Sequence, residues 1–135
     1  MTSDEFRRGG FKRGGQVNEY PLRDRTKALA LRVMILVDAL PEKGVGQVIA
    51  HQLLRSGTSV GANYRASMRA KSRADMINKL KIVKEEADET LYWLEFLVAG
   101  NVVAEPKLRP LMNEMEEILA MTVSSIKTLR GNGHS

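Results

Sequence analysis

The side chains of this 135-residue sequence that could do chemistry are its charged ones, and they are unevenly distributed. No acidic residue falls between Glu42 and Asp75. The basic residues in that interval are Lys43, Arg55, Arg65, Arg69, Lys71 and Arg73. Arginine and lysine bind phosphate oxygens, so such a cluster is typical of nucleic-acid contacts. A solvated charged face gives the same pattern, and the sequence leaves both interpretations open.

The acidic residues that follow are the main candidates for metal binding or acid-base chemistry. They are Glu85, Glu86, Asp88, Glu89 and Glu95. A two-metal site in a helical bundle uses a Glu-x-x-His motif on two helices, and the two histidines, His51 and His134, do not fit it. The sequence has no cysteine, which excludes thiolate nucleophiles and cysteine metal ligands. We therefore predict a protein that is not an enzyme and binds no metal or cofactor.

Apolar residues recur at helical spacing from Tyr20 onward, and no alternating segment indicates a strand. The spacing predicts four helices, over residues 24–40, 44–70, 72–98 and 106–130. Short connections make neighbouring helices antiparallel, so the predicted fold is all-α, an up-down-up-down four-helix bundle. The bundle occupies residues 20–130.

Both ends of the sequence are predicted to lie outside the bundle. Residues 1–19 repeat a Phe-basic-basic-Gly-Gly pattern with few aliphatic residues, which predicts a disordered basic tail, and residues 131–135 predict a second disordered tail. No apolar run reaches the roughly 18 residues of a membrane helix, and the first residues lack the apolar segment of a signal peptide. We therefore expect a cytoplasmic protein that does not contact a membrane.

Individual residues of the second and third helices carry local predictions. Ser72 and Asp75 fit a capping box, which starts the third helix. Gly57 and Gly61 are expected to let another helix approach closely. Val45 is expected to begin the buried stripe of the second helix.

The turn at Ser72 determines which residues of the two helices are level. Arg55 comes level with Glu89, so mutual neutralisation is one interpretation of Arg55 and a phosphate contact is the other. Nearer the turn, Arg65 comes level with Lys79, and no such neutralisation occurs. Because their spacing is four residues, Arg65, Arg69 and Arg73 are expected to share one face. With Lys71, Lys79 and Lys81 nearby, they are expected to form a positive tip.

The third helix carries apolar residues opposite its core stripe. At about 100° per residue, that side holds Ile82, Glu86, Glu89, Trp93 and Phe96. A helix that is apolar on two sides needs a second partner. We predict that these residues form the subunit interface of a homo-oligomer, in which Arg55 pairs with Glu86 or Glu89 of another copy.

Several segments resemble one known family. They include Gln-Leu-Leu-Arg-Ser-Gly-Thr-Ser-Val-Gly-Ala-Asn-Tyr-Arg-Ala at 52–66, Glu-Glu-Ala-Asp-Glu-Thr-Leu-Tyr-Trp-Leu-Glu at 85–95 and Ser-Ile-Lys-Thr-Leu-Arg at 125–130. In this order they resemble the four-helix-bundle family of 23S ribosomal RNA intervening-sequence proteins, which includes the accessory variability protein of diversity-generating retroelements. Many members have Ala-Glu-Gly after the asparagine of the second helix. This chain instead has Arg65, Ala66 and Ser67 after Tyr64.

The resemblance implies a barrel-like homopentamer and no enzymatic activity. The retroelement relatives are basic and associate with a reverse transcriptase and nucleic acid. By analogy, the candidate nucleic-acid contacts here are Arg55, Arg65, Arg69, Lys71 and Arg73.

Two functions fit the sequence. In the first, the protein is an oligomeric, non-enzymatic bundle that binds the backbone of RNA or DNA through its basic helix hairpin. In the alternative, it is a structural protein that binds another protein and no nucleic acid, and its basic residues serve solubility.

Overall fold

The computed structural model describes residues 21–132, which form four α-helices. The helices are α1 (Pro21–Ala39), α2 (Val45–Met68), α3 (Arg73–Ala99) and α4 (Glu105–Asn132). No strand occurs within these residues, so the predicted all-α class and helix number are confirmed. α4 extends two residues past its predicted boundary, and the predicted tails over 1–19 and 133–135 lie outside the described residues.

Each helix packs against the next one along the chain, and α4 also packs against α1. The connections span only residues 40–44, 69–72 and 100–104, so neighbouring helices are antiparallel. The bundle therefore has two distinct ends. We call the end with the turn at 69–72, where α1 begins and α4 finishes, the basic end. We call the other end, with the connections at 40–44 and 100–104, the loop end.

Aliphatic side chains from all four helices fill the interior. Fully buried examples are Leu29, Val33, Leu53, Leu94 and Met115. Spacings of three and four residues place such side chains on one side of each helix, which is the pattern the sequence predicted. Burial of one side chain of this size contributes roughly 1.5–3 kcal/mol.

Close packing of α1 on α2 depends on the two glycines of α2. A Cβ atom on Gly57 would lie 2.9 Å from a methyl group of Val33, and one on Gly61 would lie 3.4 Å from the backbone carbonyl oxygen of Thr26. The predicted close approach at these glycines is confirmed.

Buried hydroxyl groups are hydrogen-bonded rather than isolated. The Ser56 and Thr90 hydroxyl oxygens lie 3.0 Å apart between α2 and α3, and the Thr122 hydroxyl donates to the Ile118 carbonyl at 2.7 Å. Within residues 21–132, no buried side-chain nitrogen or oxygen lacks a partner. The interior thus carries no polar group whose desolvation is uncompensated.

Ser72 caps the start of α3, as predicted. Its hydroxyl accepts a hydrogen bond from the backbone N–H of Asp75 at 3.0 Å. The Asp75 carboxylate accepts one from the backbone N–H of Lys71 at 3.3 Å, whereas the reciprocal bond of a capping box comes from the cap residue itself. The Ser72 bond satisfies a donor that a helix start otherwise leaves unpaired and fixes the beginning of α3.

The first turn of α2 differs from its prediction. Val45 is 63% exposed, so its expected place in the buried stripe is wrong. Gly46 is buried in its stead, and a Cβ atom there would lie 2.9 Å from the Pro41 carbonyl oxygen. Because the 40–44 connection packs directly on this glycine, the side chain of Val45 faces outward.

An ion pair links α1 to α4 across the contact between these two helices, which we call the seam. The Arg25 guanidinium donates hydrogen bonds of 2.8 Å to both carboxylate oxygens of Glu114 and a longer one, 3.3 Å, to Glu117. The bonds from Arg25 lower the pKa of the Glu114 carboxyl and raise the pKa of the guanidinium itself. This pair was not predicted, because its members lie on the first and last helices.

Candidate functional site

The basic end carries exposed cations from the α2–α3 hairpin. Arg65 lies in the last turn of α2, Arg69 and Lys71 lie in the turn, and Arg73 begins α3; all four are exposed. Within residues 21–132, none of the four forms an ion pair. Their charges are therefore available to an anionic ligand.

The three arginines do not share one helix face, which corrects the prediction from their spacing. α2 ends at Met68, the backbone N–H of Arg69 bonds to the Ala66 carbonyl at 3.1 Å, and the chain reverses over 69–72. The prediction extended helical geometry through the turn that the Ser72 cap requires. Arg65, Arg69 and Arg73 instead surround the turn, so their charges cover a wider surface than a single stripe.

α4 brings further cations to the basic end. Lys127 and Arg130 are exposed in its last turns, and the antiparallel order places those turns beside the start of α3. These two cations were not predicted, because they lie far from the hairpin along the chain. The signal that could have found them was the predicted bundle topology, which brings the end of the fourth helix to this end.

Arg55 is the one candidate contact residue that the structure separates from the basic end. It lies more than three helical turns from Arg69, about 20 Å along α2. Its guanidinium is hydrogen-bonded to Glu86 at 3.1 Å and also to Glu89. Both partners belong to the same chain, so the pairing that we expected between subunits occurs within one bundle. The prediction that Arg55 lies level with Glu89 on the neighbouring helix is confirmed.

An aromatic cluster lies on α3 near the loop end. We call Tyr92, Trp93 and Phe96 the aromatic face. The ring centroid of Tyr92 lies 5.0 Å from that of Trp93 and 6.0 Å from that of Phe96. Tyr92 is 55% exposed and Phe96 42% exposed, whereas Trp93 is half-buried and its indole N–H donates to Glu89 at 3.4 Å. An exposed aromatic group of this size is typical of a surface that contacts another macromolecule.

The aromatic face includes some of the predicted subunit interface. Trp93 and Phe96 belong to it, and Ile82 is also partly exposed, more than two turns nearer the basic end. Glu86 and Glu89 lie beside them but are engaged by Arg55. Tyr92 was not predicted, because its position on the helix is between the core side and the outer side.

A second exposed apolar group lies on α1. We call Leu31, Met34 and Ile35 the α1 strip; they are 49%, 45% and 67% exposed. Their spacing of three and four residues makes them neighbours on the helix surface. These three residues were not predicted, although a helix that is apolar on nearly all sides is itself a signal of a covered outer surface.

Groups suited to hold a metal ion are not brought together in the stretch of chain that the structure describes. No cluster of three or more histidine, cysteine, aspartate or glutamate side chains there could hold a metal ion. His51 is exposed on α2. Tyr64 packs against the core, and burial raises the pKa of its hydroxyl. None of the helices over residues 21–132 is apolar over a length that would cross a membrane.

Comparison with known proteins identifies relatives of this fold. Residues 19–124 match the family model described as 23S rRNA-intervening sequence protein. A similar solved structure is the 1.70 Å crystal structure of a protein of unknown function from the S23 ribosomal protein family of Bacteroides thetaiotaomicron VPI-5482. The two chains are 38% identical in sequence and have a TM-score of 0.73. The match covers 78% of this chain and 98% of the Bacteroides chain. No curated protein matches this chain. The basic hairpin, the aromatic face and the α1 strip all lie within the matched region.

Proposed function

The chain belongs to the 23S rRNA-intervening sequence protein family, and we propose that this member is an oligomeric, non-enzymatic bundle that binds RNA or DNA. The basic end makes the contacts, and the ligand groups are backbone phosphates. Arg65, Arg69, Lys71 and Arg73 are the contact residues. The observation that carries the proposal is that these exposed cations share one end of the bundle and form no ion pair within residues 21–132.

The distribution of the remaining charge supports this proposal. Lys127 and Arg130 of α4 add to the same end. The sequence that precedes α1 is joined to the bundle there; it contains the cations Arg7, Arg8, Lys12 and Arg13 and the acids Asp4, Glu5 and Glu19, so it adds a small positive charge. The chain as a whole carries a formal net charge of +5. A local excess of positive charge of this kind attracts a polyanion and raises its rate of association.

Phosphate contacts predict the character of the binding. Each neutralised phosphate releases counterions, so the affinity falls steeply as salt rises. Phosphates carry no base information, so little sequence preference is expected. Arg55 makes no contribution to this surface, because Glu86 and Glu89 engage it elsewhere.

The experiment compares two charge-reversed variants of the full chain. Arg65→Glu with Arg69→Glu removes positive charge from the basic end, and Lys43→Glu with Lys107→Glu makes the same change in net charge at exposed positions of the loop end. Affinity for mixed-sequence RNA and DNA is measured by fluorescence anisotropy at about 50 mM and about 200 mM salt. We expect the first variant to bind at least about tenfold more weakly and with a shallower salt dependence, and the second to bind almost as wild type.

Equal effects of the two variants would show a general charge effect and contradict a site at the basic end. A wild-type protein that binds neither nucleic acid would favour the second candidate function, a structural protein whose ligand is another protein. The exposed aromatic face supports that candidate, because aromatic side chains are enriched in protein interfaces.

We also propose that copies of the chain form a homo-oligomer, for which the family resemblance favours a pentamer. The partly exposed Phe96, Trp93 and Ile82 support a subunit interface on α3. Light scattering coupled to size exclusion measures the mass, and a mass equal to one 15.1 kDa chain at micromolar concentration would contradict the assembly.

A further inference from the structure

The aromatic face has a counterpart on the same chain. The α1 strip and the aromatic face are both apolar and exposed, and both lie within about two turns of the last residue of their helix, Ala39 and Ala99 respectively. Those two residues are at the loop end. The two apolar surfaces are therefore at the same height on the bundle.

The two surfaces cannot cover each other within one chain. α1 packs against α2 and α4, and α3 packs against the same two helices, but α1 and α3 make no contact. They occupy diagonal corners of the bundle, so their outer surfaces face away from each other. Only a second molecule can bring an α1 strip to an aromatic face.

We propose that the aromatic face of one copy packs on the α1 strip of a second copy of this chain. The inference rests on the proposed homo-oligomer and identifies the surface that completes its interface. The contact is heterologous, because each copy presents two different surfaces, and such contacts form a closed ring when the rotation between neighbouring copies closes. α1 and α3 run in the same direction, so two copies dock side by side with their basic ends on the same side of the assembly.

The charges around the two surfaces are complementary. Exposed acidic residues flank the aromatic face on α3: Glu85, Asp88 and Glu95. Lys27 and Arg32 flank the α1 strip. When the ends of α1 and α3 are aligned, Lys27 comes level with Ala87, one residue before Asp88. The acidic residue beyond the strip, Asp38, comes level with Val98 and so opposes no acid there. Opposite charges at the edge of an apolar contact favour this pairing over contact between two copies of the acidic α3 surface.

The experiment uses one substitution on each surface, Ile35→Glu and Phe96→Glu. Both side chains are exposed, 67% and 42% respectively, so neither substitution disturbs the core. Each variant is measured alone and in an equimolar mixture, by light scattering coupled to size exclusion. Ala120→Glu, at an exposed position of α4, is the matched control.

We expect wild type and the control to have the same oligomeric mass and each variant alone to be monomeric. The mixture should form a dimer, because the intact aromatic face of the Ile35→Glu chain fits the intact strip of the Phe96→Glu chain. The other two surfaces of that dimer both carry glutamate, so it cannot grow.

Other outcomes contradict the inference in distinguishable ways. If the Ile35→Glu chain keeps the wild-type mass, or if the mixture stays monomeric, the α1 strip is not the partner surface, although the homo-oligomer stands. If wild type is monomeric, the homo-oligomer and this inference both fail. Phosphate contact at the basic end is tested separately, by the Arg65→Glu with Arg69→Glu variant.

Discussion

Packing requires a glycine at position 57, although glycine has a low helix propensity. In a helix interior, glycine is about 1 kcal/mol less favourable than alanine. A Cβ atom at this position would lie 2.9 and 3.0 Å from the two methyl groups of Val33, so alanine does not fit unless α1 moves. At Gly61 the nearest atom, the Thr26 carbonyl oxygen, is 3.4 Å away, which is close to ordinary contact. Steric exclusion therefore applies strongly at the first glycine and weakly at the second.

We expect Gly57→Ala to lower the free energy of unfolding by about 1–3 kcal/mol, because it overpacks the contact between α1 and α2. Gly61→Ala should change it little, since the gain in helix propensity offsets a small displacement. The measurement is urea denaturation followed by circular dichroism. Adding Val33→Ala to Gly57→Ala should cost less than the sum of the two single changes, and strict additivity would contradict a steric origin.

At the scale of helices, the seam between α1 and α4 is held by a charged contact. The hydrogen bonds from Arg25 hold the pKa of Glu114 below its ordinary value of 4.5. A carboxyl group with a lowered pKa in the folded state stabilises the protein above its unfolded pKa. That stabilisation is lost as the pH falls below about 4.5 and through the folded pKa. The seam should therefore loosen in acid.

Glu114→Gln should lower the free energy of unfolding by about 1–2 kcal/mol near pH 7, because a charge-assisted, half-buried pair is lost. The difference from wild type should be smaller at pH 3 than at pH 7, because protonation of wild-type Glu114 removes the ionic contribution as the pH falls toward its lowered folded pKa. Urea denaturation at both pH values tests this. Glu116→Gln changes an exposed neighbour on α4 and should have little effect at either pH. A Glu114→Gln effect independent of pH would contradict an ionic contribution.

The helices could be predicted from the sequence because each has a buried side with regular apolar spacing and Ser72 provides a strong start signal. The errors came from features that spacing alone does not contain. Val45 fits the stripe of α2, but the 40–44 connection covers Gly46 and turns Val45 outward. The α1 strip could not be recognised as exposed, because α1 has apolar residues around most of its circumference and only its neighbours decide which are covered. Arg25 and Glu114 meet only through the closure of α4 on α1.

At the scale of the whole molecule, charge and apolar surface are separated along the bundle axis. A group of exposed cations that form no ion pair within residues 21–132 surrounds the basic end, whereas the aromatic face and the α1 strip lie near the loop end. Assembly at one end leaves the other open to a ligand. If copies assemble with parallel axes, several basic ends act on one nucleic acid, and the avidity exceeds that of a single bundle.

Because the cations and the apolar surfaces lie at different ends of the bundle, RNA binding and oligomer assembly should respond differently to salt. The oligomeric mass should be nearly the same at low and high salt, because apolar burial carries the contact, whereas bound RNA should dissociate as salt rises. Light scattering with and without mixed-sequence RNA measures both quantities in one series. Dissociation of the protein alone at high salt would contradict an apolar interface, and RNA binding that resists salt would contradict phosphate contacts.

The topology also decides how the bundle responds to mechanical force. α1 begins and α4 finishes at the same end, so tension applied between those points pulls the two helices apart sideways. Helices pulled in this way lose their contacts in succession, rather than sliding past each other along their whole length. Arg25 lies in the first turns of α1, so its bonds to Glu114 are among the first to carry the load. The seam between α1 and α4 is therefore the place where stretching would start to open the fold.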